Sequence, residues 1–142
     1  MNALQVLAEQ LRAEDSPISP HVIDPAEGPQ LGELAAAGPG AAAAPAEYAL
    51  VIEAVREGYL LHYEEPRLLA GHDPDLALLA GDYLYALGLD RLAALADTRA
   101  VAILSDLITT CARLQSEGNP DPIPNLWRAT AERIGYPASR SI

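Results

Sequence analysis

The sequence predicts an all-α protein: a small helical bundle of about four to five helices with a Pro/Gly/Ala-rich N-terminal region. Three observations carry this. Half of the 142 residues are apolar but only 5% are aromatic, with six Tyr, one Trp and no Phe. The core must therefore be aliphatic, and the Ala and Leu that dominate it favour helices. Apolar residues recur at spacings of three and four in each long segment, and no stretch alternates β-branched residues as a strand does. The breakers are concentrated, with six of the twelve prolines and four of the ten glycines in residues 16–45.

Residues 1–15 form the first unit. Leu4, Leu7 and Leu11 share one face, with Gln5, Glu9, Gln10 and Arg12 elsewhere on the wheel, so the segment reads as an amphipathic helix. A helix this short is marginal alone and needs a surface to pack against. Residues 16–45 read as an irregular Pro/Gly/Ala-rich linker, because proline removes backbone donors and glycine raises the entropy cost of ordering. One helical turn around Leu31–Ala37 fits within it.

Residues 46–142 read as one helical domain. A helix from Ala46 to Glu64 turns Tyr48, Leu50, Val51, Ala54, Val55 and Leu61 inward, and Pro66 ends it. Asp73-Pro74 then supplies a cap followed by proline at the first helical position. The helix it starts has Leu76, Leu79, Ala80, Tyr83, Leu84 and Leu87 at helical spacing, and Gly88 is a point where it bends or stops. Asp97 caps a further helix reaching about Glu117, with Val101, Leu104, Leu107, Ile108 and Leu114 inward. Gly118-Asn-Pro-Asp-Pro stops it. A last helix covers Ile123–Ile134, with Leu126, Trp127 and Ile134 available to pack.

The formal net charge is −11, from 20 acids against 9 bases. Such a surface repels phosphate backbones and anionic lipid, so neither nucleic acid nor a membrane surface is expected as a partner. No apolar run approaches the roughly 20 residues of a membrane span. The first residues lack the basic and apolar regions of a secretory signal, and Cys111 is the only cysteine, which excludes an intrachain disulfide. A cytoplasmic location is the expectation.

The densest polar stretch is His62-Tyr63-Glu64-Glu65, with His72-Asp73 nearby. His62 and Glu65 lie three apart and could share a helix face as metal ligands, with His72 and Asp73 as further candidates. A stable site takes three or four ligands, and the chain lacks the repeated Glu-x-x-His of di-iron bundles, so neither a metal nor another cofactor is expected. Cys111 has no neighbouring base to form a thiolate. Gly81 within a helix costs about 1 kcal/mol against alanine, which points to a close helix–helix contact. Asp82 beside it must face water or a hydrogen-bonding partner, and Tyr83 offers a hydroxyl at the same contact.

At Leu79-Ala-Gly-Asp-Tyr-Leu84 the chain resembles the head-to-tail trans-isoprenyl (polyprenyl) diphosphate synthases, an all-α family. Leu60-Leu61-His62 stands where that family has leucine-leucine-histidine ahead of its first aspartate-rich motif. The resemblance covers roughly residues 47–115. Where the family places metal-binding aspartates, this chain has Tyr63, Glu64, Glu65 and Pro66, and Arg67 is the sole base before Gly81. The basic diphosphate loop has no room, and the second aspartate-rich motif has no counterpart in these residues. The resemblance thus implies a piece of helical scaffold without the clustered carboxylates and bases that allylic diphosphate chemistry needs.

The expected function is a non-catalytic accessory or structural subunit. It would dock on a larger protein or a second copy by helix packing, with Leu4, Leu7 and Leu11 suited to a partner's groove. From the resemblance, an apolar pocket for an isoprenoid or quinone tail is a further expectation. The alternative is an enzyme: a partial prenyltransferase subunit completed by another chain, or a metal enzyme using His62 and Glu65.

Overall fold

Helix α3 (Pro45–Tyr63) carries apolar residues on every face, and a helix of that kind is buried all round. The other elements assemble around it. The structure, a computed structural model, describes residues 1–137, so the last five residues of the expected 46–142 domain lie outside it. In chain order the remaining helices are α1 (Ala3–Ala13), α2 (Gln30–Ala36), α4 (Pro74–Ala94), α5 (Thr98–Ser116) and α6 (Ile123–Gly135), with 3-10 turns at Ser19–His21 and Pro39–Ala41. Among the described residues the fold is all-α, with six helices rather than four or five. Among the described residues the only β pairing is an isolated bridge between Val22 and Leu69. No described helix is long and apolar enough to cross a membrane.

Helix α3 packs on α1, α2 and α4, α5 lies against α4 and α6, and α2 also reaches α6. Two apolar cores flank α3. In the larger, Val51, Ile52, Val55 and Tyr59 meet Leu104, Leu107 and Cys111 of α5 and Trp127, Ala131 and Ile134 of α6. In the smaller, Leu50, Ala54 and Leu61 meet Leu4, Leu7 and Leu11 of α1, together with Leu68, Leu69, Ala80 and Leu84. The inward face expected for α3 is therefore too narrow, because Ile52, Tyr59, Leu60 and even Glu53 and Glu57 are buried as well.

Residues 16–45 are irregular only in part, and they do not behave as a free tether. Pro20, Pro39 and Pro45 sit at the starts of helical turns, where a fixed φ and a missing donor do no harm. The small residues of the stretch are contact surfaces. A methyl at Gly32 would stand 2.7 Å from the Ala49 carbonyl of α3, and one at Gly135 of α6 would stand 2.5 Å from the Ala35 carbonyl of α2. Alanine and glycine let α2 wedge between α3 and α6 at backbone distance. The segment between α1 and α2 is fastened too: Ser19 Oγ donates to the Leu11 carbonyl at 2.5 Å, and Arg12 pairs with Asp24 at 2.8 Å. Ile23 N donates to the Leu68 carbonyl at 2.7 Å, and Ala70 N donates to that of His21 at 3.0 Å.

Three helix starts, those of α1, α4 and α5, are set by side-chain caps. Asn2 and Gln5 form a reciprocal capping box at α1. Asp73 Oδ1 accepts from Leu76 N at 2.8 Å, with Pro74 next, and Asp97 Oδ1 accepts from Ala100 N at 3.0 Å. Helix α4 continues past Gly88, which does not stop it. A methyl there would meet Val55 Cγ2 at 2.5 Å and the Val51 carbonyl at 3.2 Å.

The face that α4 buries is set by its glycines. Ala80, Gly81, Leu84, Gly88 and Leu92 are the buried residues. A methyl on Gly81 would overlap the His62 ring and approach the Gly58 carbonyl to 3.0 Å, and one on Gly58 would meet the Gly81 carbonyl at 2.8 Å. The two backbones touch reciprocally, and that contact turns Leu79 and Tyr83, both expected inward, toward the outside. Gly58→Ala and Gly81→Ala should therefore each overpack the crossing and destabilise by roughly 1–3 kcal/mol. Urea melts check the sign: a gain in stability from either alanine would mean the crossing is not tight.

Candidate interaction groove

The strongest buried electrostatics lie where α3 faces the loop after it. Glu53 and Glu57, one turn apart, have no solvent exposure. Arg67 reaches both, with Nε donating to Glu57 Oε1 at 2.9 Å and Nη1 to Glu53 Oε1 at 2.7 Å. The remaining oxygens are also occupied. Glu57 Oε2 accepts from Arg67 N at 2.7 Å and Leu68 N at 2.9 Å, and Glu53 Oε2 accepts from Gly32 N at 2.8 Å. Burial alone would lower the affinity of the Arg67 guanidinium for its proton, but the two carboxylates outweigh it and raise the pKa. With every carboxylate oxygen engaged, the cluster works as a structural clasp.

The sequence-predicted metal candidates do not converge. His62 Nε2 lies 3.2 Å from both the Leu78 carbonyl and Asp82 Oδ1. Glu65 is exposed, Asp73 caps α4, and His72 is half-buried elsewhere. Among the described residues no three His, Cys, Asp or Glu side chains stand where they could hold an ion together. Cys111 is buried in the larger core, and burial pushes its thiol up to about 11. Beside it, Tyr59 donates to Glu64 at 2.8 Å and accepts from Gln115 at 2.9 Å, while Arg56 lies over the Tyr59 and Trp127 rings.

Leu4, Leu7 and Leu11, expected to meet a partner, are each fully buried against α3. The chain itself supplies the surface that this short helix needs. The unpartnered apolar face belongs to α4, where Leu78 is 54%, Leu79 67% and Tyr83 38% exposed. Leu76, Leu79 and Tyr83 follow one another at spacings of three and four along one stripe. Opposite them, Glu14, Ser16, Pro17 and Ile18 complete a groove of about 420 Å³. Tyr83 Oη donates to Glu14 Oε2 at 2.5 Å across it, and Asp15, with φ of 53°, turns the chain at its edge. The Leu79-Ala-Gly-Asp-Tyr-Leu84 segment thus plays two parts, with Gly81 packed inward and Leu79 and Tyr83 lining the groove. Asp82 is exposed beside His62.

No family model matches this chain, and no curated protein or solved structure matches it significantly.

Two measurements test the electrostatics. Arg67→Met leaves two buried carboxylates without their cation and should cost about 3–5 kcal/mol in urea unfolding, with Arg67→Lys restoring only part because ammonium cannot span both acids. Loss below about 1 kcal/mol would mean water reaches the cluster freely. At alkaline pH the tyrosines decide. Burial raises Tyr48 and Tyr59 to about 12, and the hydrogen bond to Glu14 does the same for Tyr83. The unfolded chain releases these protons near pH 10, so the folded state binds more of them and stability falls between about pH 10 and 12. Absorbance titration at 295 nm against circular dichroism should show phenolate formation lagging and then accompanying unfolding.

Proposed function

We propose that this chain is a non-catalytic accessory subunit that docks on a protein partner through the outer face of α4 and the groove beside it. The observation that carries the reading is the exposure of Leu79 and Tyr83, in line with Leu76, on a helix whose other face is already committed to α3. Large apolar residues grouped on one exposed stripe mark interaction sites far more than scattered ones do. Stripes at this spacing suit helix-in-groove recognition. The chain's interior supports the same reading, since the buried Glu53 and Glu57 are fully engaged by the Arg67 side chain and by backbone amides.

A second reading draws on the groove's volume of about 420 Å³ and its apolar floor. That size lies within the range of small-ligand sites, and an isoprenoid or quinone tail is the ligand that the resemblance to polyprenyl synthases suggests. The tail would occupy the same residues, so the two readings compete for one surface.

A photo-crosslinking amino acid in place of Leu79 tests the docking reading, with one in place of Asp106 on the exposed face of α5 as the control. The expected result is one protein crosslinked at 79 and not at 106, which then forms a complex of fixed stoichiometry when both purified components are mixed. Equal labelling from both positions, or failure of the purified pair to associate, would overturn it.

A further inference from the structure

The geometry points to a basic amphipathic helix, apolar on one face and flanked by arginine or lysine, as the occupant of the α4 groove. This rests on the docking reading above and adds the chemistry of the partner. The floor is apolar, built by Ile18, Leu76 and Leu79, and Glu14 is the acid in its lining. Asp15 follows Glu14 at the end of α1, and exposed Asp75 and Asp82, the latter beside His62, lie about two turns apart on α4 next to Leu76 and Tyr83. The arginines of α1 and α4 are spoken for. Arg12 is held by Asp24 at 2.8 Å, and Arg91 is held by Glu47 at 2.7 Å and Gln10 at 2.9 Å.

The charge of the whole chain reinforces the local pattern. Residues 1–97 hold sixteen of the twenty acids and four arginines, whereas residues 98–142 hold four acids and five arginines. All the residues that line the groove belong to this acidic part of the chain. Association there is steered toward a cationic partner and away from nucleic acid or anionic lipid. Symmetric pairing of two copies through this face would set Asp75 and Asp82 against their own counterparts, a like-charge contact that disfavours it. An uncharged apolar chain could lie on the floor but would leave these acids unused.

The test uses the full chain and three probes in fluorescence anisotropy and competition. One is a labelled helical peptide with leucines at i, i+3 and i+7 and arginines on the flanks, the second is the same peptide with glutamates for arginines, and the third is farnesol. The arginine peptide should bind, weaken as salt is raised, and lose at least about tenfold in affinity with Leu79→Ser, a change of about 1.4 kcal/mol. The double variant Asp75→Lys/Asp82→Lys, at two exposed positions and checked for retained helicity, should reverse the preference toward the glutamate peptide. Equal binding of both peptides, binding of neither, no reversal in the double variant, or farnesol binding alone would each overturn the inference. Because the Leu79 crosslink is scored separately, a partner captured there with the arginine peptide silent would sink the charge argument and leave the docking reading standing.

Discussion

Glu53 and Glu57 occupy successive turns of α3 and are withdrawn from water, so each needs donors supplied by the protein. An isolated buried carboxylate is costly enough that the arrangement persists only if every oxygen is engaged. The donors come from two places distant in sequence: the start of α2 through Gly32, and the loop after α3 through Arg67 and Leu68. That loop in turn pairs with residues 21–23. One pair of acids thereby fixes α2, the loop leading into α4, and the segment leaving α1, all relative to the central helix. The five hydrogen bonds leave little freedom for the segments between.

A second constraint is backbone proximity. Gly58 and Gly81 place the carbonyls of α3 and α4 within reach of each other's Cα hydrogens, and Gly88 accepts Val55 into the same crossing. Contacts of this kind are individually weak, but they choose which side of α4 is buried. Volume alone would favour burying Leu79 and Tyr83. Close approach is possible only on the glycine side, so the leucines are left outward. The exposed stripe is a by-product of the packing that α3 demands, and it lies against the turn after α1, where Glu14 and Ile18 close the groove.

These two constraints separate the parts of the molecule that hold it together from the exposed face of α4. The charges inside are satisfied, the α1 leucines are covered, and the candidate metal ligands point to separate tasks: His62 over Gly81, Asp73 at a helix cap. What remains is an apolar groove, with Glu14 in its lining, on the part of the chain that carries the negative charge. The proposed docking is placed there because apolar shape and acidic charge together would favour both encounter and selectivity.

The helical class, the order of the long helices and several of their starts were legible in the sequence, because capping and helical periodicity are local properties. Asp73 and Asp97 each act on a backbone donor three residues on, and α3 stops at Tyr63, just ahead of Pro66. Gly81 was also readable as a packing contact, since an unexplained mid-helix glycine implies one. Three other features depended on the tertiary structure. Residues 16–45 look like a linker because alanine, glycine and proline are shared by linkers and by close-packed surfaces, and only the presence of Ala49 and Gly135 opposite them decides between the two. Glu53 and Glu57 look like ordinary surface acids until Arg67 and the amides of Gly32 and Leu68 arrive from elsewhere in the chain. The outward turn of Leu79 and Tyr83, and hence the groove, followed from a competition between side-chain volume and backbone approach. Periodicity measures hydrophobicity around a helix, but the neighbour's shape decides which face it can touch.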